Sequence, residues 1–243
     1  NAELSGGNVM GRWQRTTRNG GELSVQTYYD RTRRYEANLG ETRDTFDVDF
    51  VHHLPMRARQ EISWGAGARF SHANDAEIVS GLTFVPTHRT DYLYTAFVQD
   101  EVSLIERRLS VILGTKVLRT NFTGFELEPS ARVLWTPSDR QTIWAAFTHA
   151  VRTPSDVEEN FYLSGFAGFT PSGLPLMARF NANRDFTPEE LNGVELGYRR
   201  LLGDRLMIDT AAFYNHHHNL FDQEITGSPF LEESPAPVDC SGF

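Results

Sequence analysis

The chain alternates between apolar and polar residues along most of its length, and helical periodicity is nearly absent. Alternation with a period of two predicts β-strands, because successive side chains of a strand point to opposite faces of the sheet. Ten strands are predicted, at approximately residues 4–17, 21–31, 43–55, 59–72, 90–105, 109–119, 126–136, 140–152, 191–201 and 205–219. The pattern therefore indicates an all-β fold.

One phase of each predicted strand is apolar, and the opposite phase is unusually polar for a protein core. The apolar phase includes Phe46, Val48, Phe50, Ile62, Trp64, Phe70, Tyr92, Tyr94, Val111, Val194 and Leu196. The polar phase includes Asp47, Asp49, Glu61, Arg69, Lys116, Glu195 and Arg199. A soluble β-sandwich does not readily accommodate such a polar inner face, because buried charges need partners. A β-propeller is disfavoured because no repeat of roughly 40 to 50 residues is found.

The connections between the predicted strands alternate between short and long. The short ones read TRNGG, PMRAR, ERR, PSDR and LGD, whereas the links 32–42, 73–89, 120–125 and 153–190 are mostly long. Short periplasmic turns and longer extracellular loops are typical of an antiparallel, up-and-down transmembrane β-barrel. Trp135 and Trp144 flank a short turn, so we expect both in the aromatic girdle at the periplasmic interface, in contact with outer-membrane lipid.

Composition narrows the functional classes. The net charge of -9, from 23 basic and 32 acidic residues, argues against a nucleic-acid surface. The single cysteine, Cys240, excludes an internal disulfide framework and a cysteine-based zinc site. No apolar run approaches the roughly 18 residues that a membrane helix needs. The Gly-x-Ser-x-Gly, His-Glu-x-x-His and phosphate-loop motifs are absent from the sequence, so we expect no enzyme.

Several segments carry a resemblance to a known family. They are YLYTAFVQDEVSL (92–104), LSVILGTKV (109–117), EPSARVLWTPSDRQTIWAAFTHAVRTPS (128–155), FTPEELNGVELGYRR (186–200) and RLMIDTAAFYNHHHNLF (205–221). In order and spacing they resemble the barrel of TonB-dependent outer-membrane receptors. The resemblance implies a multi-pass outer-membrane barrel of about 22 strands whose lumen is plugged by a separate N-terminal domain.

The chain departs from that family pattern in two respects. Ten strands are too few for the implied barrel, and neither a plug-like segment nor a TonB box is found in the sequence. We therefore expect residues 1–243 to form part of a receptor β-barrel domain, with the plug domain and the remaining strands absent. Such a chain is either a natural fragment or the product of a truncated gene.

The resemblance also implies a function. Receptors of this family bind scarce ligands such as ferric siderophores, haem, cobalamin or sugars, and import them when the TonB inner-membrane complex acts through the plug. We expect this chain to serve TonB-dependent uptake of a small-molecule ligand, a ferric siderophore or another iron complex, with no cofactor and no nucleic-acid partner. The alternatives are a passive outer-membrane porin and a soluble all-β binding module.

The 153–190 link is the candidate ligand loop, because a long connection on the predicted extracellular side is usually functional or disordered. The candidate ligand-binding residues are Tyr162, Phe166, Phe169, Arg179 and Arg184. Aromatic rings can stack on an apolar or planar ligand, and arginines can pair with carboxylate or hydroxamate-like oxygens. The alternative is that these aromatic residues only pack the loop onto its neighbours.

The segment NHHHNL (215–220) is a candidate metal motif. In an extended strand His216 and His218 point the same way, so two imidazoles could meet one metal ion or capture haem. Neither a cysteine nor a spaced pair of carboxylates lies nearby in the sequence to complete a site. The alternative is that they are polar residues at the extracellular end of a strand.

Overall fold

The computed structural model describes residues 2–36, 39–57, 59–77, 81–183 and 185–222, and Cys240 lies outside them. In chain order the elements are β1 (Glu3–Thr16), β2 (Glu22–Tyr35), β3 (Leu39–Arg57), β4 (Gln60–Glu77), β5 (Leu82–Phe84), β6 (His88–Ile105), β7 (Leu109–Thr120), β8 (Gly124–Ser138), β9 (Gln141–Arg152), α1 (Asp156–Asn160), β10 (Phe161–Phe169), β11 (Pro175–Asn181), β12 (Glu189–Leu202) and β13 (Leu206–His218). Across these ranges, no helix has the length and apolar character needed to cross a membrane.

Ten of the strands form one antiparallel sheet in the order β1-β2-β3-β4-β6-β7-β8-β9-β12-β13. Each strand of this sheet pairs with the next one along the chain, apart from the excursions that contain β5 and β10–β11. The ten predicted strands and the up-and-down arrangement are therefore confirmed, and a partial barrel fits this sheet. The five links predicted to be short all lie at one end of the sheet, as the sequence predicts.

The long links are shorter than the sequence indicates. Strand β2 continues to Tyr35 and β3 begins at Leu39, while β4 continues to Glu77. Most of the predicted links 32–42 and 73–89 is thus strand, and the link 120–125 is reduced to residues 121–123. These strand ends are polar on both faces, as in the DRTRRY end of β2, so they lack the alternation that marks a strand in sequence.

A second, three-stranded sheet has the order β11-β10-β5 and is called the rim sheet here. It lies at the end of the large sheet opposite the tight turns, and its strands come from the predicted links 73–89 and 153–190. The expectation that 153–190 is a loop is therefore wrong, because it contains α1, β10 and β11. The reason is that β5 has three residues, β11 has seven, and the aromatic residues of β10 do not follow strict alternation.

The large sheet exposes its apolar face. Cross-strand pairing places Val9, Tyr29, Phe46, Phe70 and Tyr92 in one row across five strands. Among the described residues the buried hydrophobic side chains are few, namely Ala73, Phe84 and Leu118. An outward apolar band formed by alternate residues of every strand is the arrangement that a lipid-facing barrel wall requires, so the apolar and polar phases follow the prediction.

The opposite face of the sheet carries the polar phase, and its charges pair between neighbouring strands. Arg69 Nε lies 2.8 Å from Asp47 Oδ2, Lys116 Nζ lies 3.0 Å from Glu128 Oε2, and Arg199 Nη2 lies 2.5 Å from Asp209 Oδ2. Charge-assisted hydrogen bonds of this kind compensate partly buried ions. The polar face is thus a set of cross-strand ion pairs.

The structure corrects the placement of one girdle tryptophan. Trp135 pairs with Ile143 on the apolar face, whereas Trp144 pairs with Leu134 and Gly197 on the polar face. In a regular hairpin Trp135 and Trp144 would pair directly and share one face. Between Trp135 and Ser138, however, β8 has one residue more than the facing part of β9. This bulge places the two indoles on opposite faces of the sheet. Trp144 cannot contact lipid from the polar face. The girdle role of Trp135 stays a prediction.

The polar environment of Trp144 explains how the indole is accommodated. Its Nε1–H donates a hydrogen bond of 3.0 Å to Glu195 Oε1. The ring lies against the backbone of Gly197, where a Cβ atom would overlap it. A glycine at this position is therefore required by close packing.

Candidate functional site

The rim sheet brings four of the predicted ligand residues to one face, with Phe169 at its end. Phe166 pairs with Met177, Ser164 with Arg179, and Tyr162 with Asn181. Since directly paired residues share a face and alternate residues return to it, Tyr162, Phe166 and Arg179 lie on the same side of the sheet. We call this side the candidate face. Arg184 lies outside the described residues.

The end of the candidate face is an exposed aromatic pair. The rings of Phe166 and Phe169 meet edge to face with centroids 5.1 Å apart. Their side chains are 48% and 69% exposed. The pairing of β10 with β11 is irregular between Phe166 and Gly168, and Gly168 has a φ of 138°, which favours glycine. This irregularity allows two aromatic residues three positions apart to meet.

The centre of the candidate face is less accessible. Ser164 and Thr83 are buried, and Tyr162 and Arg179 are partly exposed. The candidate face therefore runs from a buried polar centre to an exposed aromatic tip. This arrangement can support contact with a ligand that has both polar and aromatic parts.

The opposite face of the rim sheet is an aromatic packing surface. The Phe161 ring lies 5.6 Å from the Phe84 ring and 6.0 Å from the Phe180 ring, measured between centroids. Phe84 is buried. Phe161 and Phe180 therefore pack the rim sheet, while the ligand role expected of Tyr162, Phe166 and Phe169 stays a prediction.

A buried arginine fixes the rim sheet and α1 to the large sheet. The Arg89 guanidinium forms ion pairs with Asp75 of β4 and Asp156 of α1, and it lies 3.6 Å from Asp91 and 3.8 Å from Glu41. The side chains of Arg89 and Asp75 are 6% and 1% exposed. We call these five residues the Arg89 cluster. The guanidinium carbon also lies 5.1 Å from the centre of the Phe84 ring, so the cluster contacts the packing face of the rim sheet.

Burial shapes the electrostatics of the cluster. Burial raises the pKa of Asp156, while the hydrogen bond from Asn160 and the charge of Arg89 oppose that rise. Four carboxylates surround Arg89 and its neighbour Arg43, which lies 2.8 Å from Glu41. The cluster is therefore acidic overall, and removal of its central arginine would leave buried negative charges together.

A second ion cluster joins the two ends of the excursion between β9 and β12, which contains α1, β10 and β11. Arg152 at the end of β9 contacts Glu158 of α1 at 2.6 Å and Glu189 at the start of β12 at 2.8 Å. Glu158 also accepts a 2.7 Å hydrogen bond from the Ser155 N–H. The Arg152 hydrogen bond lowers the pKa of Glu158 from 4.5 to about 2, helped by the bonds from Ser155. We call this group the Arg152 clamp, and it joins both ends of the excursion.

Sequence reasoning missed both ion clusters. Asp75 and Arg89 fall in a segment predicted to be a link, and Asp156 lies far from both along the chain. No local spacing relates residues that three separate elements bring together. The one local signal is Ser155 followed three residues later by Glu158, which is the sequence pattern of a helix start.

The histidine motif lies at the same end of the large sheet. His216 and His218 point the same way, with ring centroids 4.2 Å apart and planes at 85°. Within the ranges that the structure describes, no group of three or more His, Cys, Asp or Glu side chains is arranged to hold a metal ion. Two imidazoles are therefore the whole of the ligand set found there.

The family model described as TonB dependent receptor-like, beta-barrel, matches residues 4–234. The chain belongs to this family. Membership implies the outer membrane and favours a TonB-dependent receptor over the passive porin and the soluble module. No curated protein sequence matches the chain.

Solved receptor structures share the fold of this TonB-dependent receptor chain. The siderophore receptor PirA from Pseudomonas aeruginosa is 18% identical with a TM-score of 0.75, over 89% of this chain and 40% of its own. A mutant of the ferric enterobactin receptor PfeA from Pseudomonas aeruginosa is 15% identical with a TM-score of 0.75, over 89% and 35%. The alcaligin outer-membrane receptor FauA from Bordetella pertussis is 18% identical with a TM-score of 0.60, over 93% and 39%.

At these identities the likeness shows the fold. The receptor chain spans between 35% and 40% of the length of these three structures. The family and these neighbours are transport receptors and not enzymes. What the chain binds is a separate question.

Proposed function

We propose that this chain forms part of the barrel of an outer-membrane receptor for TonB-dependent uptake of a ferric siderophore, and that the candidate face contacts this ligand. Residues 1–243 would be part of the barrel domain, and the TonB complex would act through a plug domain. The observation that carries the proposal is the candidate face itself, with Tyr162, Phe166 and Arg179 on one side of an anchored sheet. The neighbours described as siderophore, ferric enterobactin and alcaligin receptors support the ligand class.

The chemistry of the candidate face suits such a ligand. Ferric siderophores present oxygen-rich, often anionic chelating groups together with apolar or aromatic portions. Arg179 can donate two hydrogen bonds to paired oxygens, and the Phe166–Phe169 pair offers an exposed apolar surface next to it. Arginine and aromatic side chains commonly dominate the binding energy of a recognition surface.

Anchoring of the rim sheet supports the proposal through preorganisation. The Val85 N–H donates to the Asn160 carbonyl at 2.9 Å, and the Ser164 N–H donates to the Gly81 carbonyl at 2.6 Å. These bonds hold the rim sheet and α1 together, and the Arg89 cluster and the Arg152 clamp join them to the large sheet before any ligand arrives. A preordered surface loses less conformational entropy on binding than a mobile loop.

Point variants test the proposal better than a deletion of residues 160–182. That deletion removes the partner of β5, because Phe161, Tyr162 and Leu163 pair with it. The informative variants are Arg179→Ala and the double variant Phe166→Ala with Phe169→Ala. Leu163→Ala is the matched control, because Leu163 is partly exposed on the opposite face of the same strand.

The measurement is the binding and uptake of radiolabelled ferric enterobactin, ferric alcaligin and a ferric hydroxamate by cells producing the full-length protein. For the siderophore that the parent binds, we expect each candidate-face variant to weaken binding by about tenfold or more, as for loss of a dominant contact. Leu163→Ala should stay near the parental value. Parental uptake of every tested siderophore in both candidate-face variants would refute the role of the candidate face.

A further inference from the structure

We propose that His216 and His218 form a surface site for one divalent transition-metal ion, bound by two imidazoles and completed by water. The site is independent of the proposed siderophore function, since it lies on β13 and uses no residue of the candidate face. Both histidine side chains are exposed to solvent. A soluble metal ion can therefore reach both rings.

The geometry of β13 provides the chelate. Residues two apart on a strand project from the same face, and the two ring centroids are 4.2 Å apart. Two nitrogen ligands at the usual 2.0–2.1 Å from one metal ion lie within about 4 Å of each other. Small rotations of the rings can therefore place one nitrogen from each on a common ion.

The neighbouring strand supplies polar surroundings for the site. His216 pairs with Asn192 and His218 pairs with Glu190, both of β12. His149 Nδ1 lies 3.0 Å from Asn192 Oδ1, which fixes that amide. The Glu190 carboxylate faces the same side as His218, so it can offset the charge of a bound cation without being a direct ligand.

The position of the two histidines on the sheet exposes them to ions in the medium. The pair that precedes His216 and Asn192 on this face is Tyr214 with Val194, which belongs to the exposed apolar face. The two imidazoles therefore lie just beyond the apolar band, at the end of the sheet opposite the tight turns. In a receptor barrel this is the outward side of the extracellular end, open to ions in the medium.

The chemical class of the ion follows from the ligands. Neutral imidazole suits copper, nickel and zinc, and Cu²⁺ has the highest affinity for nitrogen sites among the divalent first-row ions. Calcium and magnesium prefer oxygen ligands and are not expected to bind. Cu²⁺ is accordingly the probe of choice.

The experiment is a Cu²⁺ titration of the full-length protein, purified in detergent without a polyhistidine tag and followed by electron paramagnetic resonance. We expect one bound ion whose spectrum shows coupling to two nitrogen nuclei. His216→Ala and His218→Ala should each weaken binding by on the order of tenfold or more, because a chelate loses its second, intramolecular contact.

His217→Ala is the matched control, because His217 projects from the opposite face of the same strand. It should bind Cu²⁺ as the parent does. Heat-modifiable migration on gels confirms that each variant is folded before titration. Parental affinity in both His216→Ala and His218→Ala, or an equal loss in His217→Ala, would overturn the proposal. Siderophore uptake is measured in the same variants and is expected to be unchanged.

Discussion

Replacement of Arg89 by methionine tests whether the Arg89 cluster holds the rim sheet in place. Methionine keeps much of the side-chain volume and removes the charge. Asp75 and Asp156 would then remain buried without their cation, and removal of one partner from a buried ion pair typically costs about 3–5 kcal/mol. The pair with Asp156 joins the large sheet to α1, whereas the pair with Asp75 joins β6 to β4 at the same end of the large sheet. We therefore expect the loss to loosen the rim sheet and this end of the large sheet, while the rest of its ladder stays intact.

The assay is hydrogen exchange of the full-length protein, followed for peptides that contain β10. A loss of 3–5 kcal/mol increases the open population roughly 100- to 4,000-fold, so amides such as that of Ser164 should exchange faster by about this factor. Heat-modifiable migration should stay parental. Addition of Asp75→Asn and Asp156→Asn to Arg89→Met should restore part of the protection, because the neutral amides no longer repel each other.

Arg31→Met is the matched control, because Arg31 forms an ion pair of 3.5 Å with Asp44 while its side chain is 60% exposed. Exposed ion pairs contribute about 0–1 kcal/mol, so exchange in β10 should not change. Parental exchange of β10 in Arg89→Met would refute the assigned role of the cluster. An equal effect of Arg31→Met would show that burial is not the cause.

Three further perturbations probe the sheet and the clamp. Val194→Arg on the apolar face should destabilise the barrel by about 2–4 kcal/mol if the residue lies near the bilayer midplane. Thr148→Arg on the polar face is the control and should have little effect. Heat-modifiable migration in urea measures both. Gly197→Val should impair folding in the same assay, because its Cβ overlaps the Trp144 ring. Since the pKa of Glu158 is lowered in the folded state, the clamp stabilises the excursion above pH 4.5 and loses this contribution as the pH falls towards about 2. Limited proteolysis of the 153–188 segment at successive pH values should detect this loss. Glu158→Gln should reduce the pH dependence without removing it, because Glu189 still pairs with Arg152.

The large sheet could be predicted because its signal is local. Alternation along each strand and the lengths of the connections gave ten strands in the correct order. The strand ends were missed because they are polar on both faces, as at the end of β2. Alternation also gives no sign of a β-bulge. The sequence therefore could not predict that Trp135 and Trp144 lie on opposite faces of the sheet.

The sequence could predict which segment holds the candidate face. It could not predict which of its residues share that face. The aromatic residues and arginines of the 153–190 segment marked it as a candidate ligand region, which stays a prediction. Whether Phe161 or Phe166 lay on the candidate face depended on pairing with β5 and β11, which no local pattern specifies. The Arg89 cluster required four elements, β3, β4, β6 and α1, to bring their side chains together.

The close packing of Trp144 on Gly197 has a consequence for how the strands find their alignment during assembly. Alternation penalises a slip of one residue, which would turn polar side chains towards lipid, but it does not detect a slip of two residues. A two-residue slip of β9 along β12 would place the Trp144 ring against Glu195 or Arg199 in place of glycine. A similar slip of β13 would place Arg199 opposite Met207 or Ala211 and separate it from Asp209. Gly197 and the Arg199–Asp209 ion pair therefore disfavour a two-residue register shift on the two sides of β12. The hydrophobic pattern alone would not disfavour such a shift.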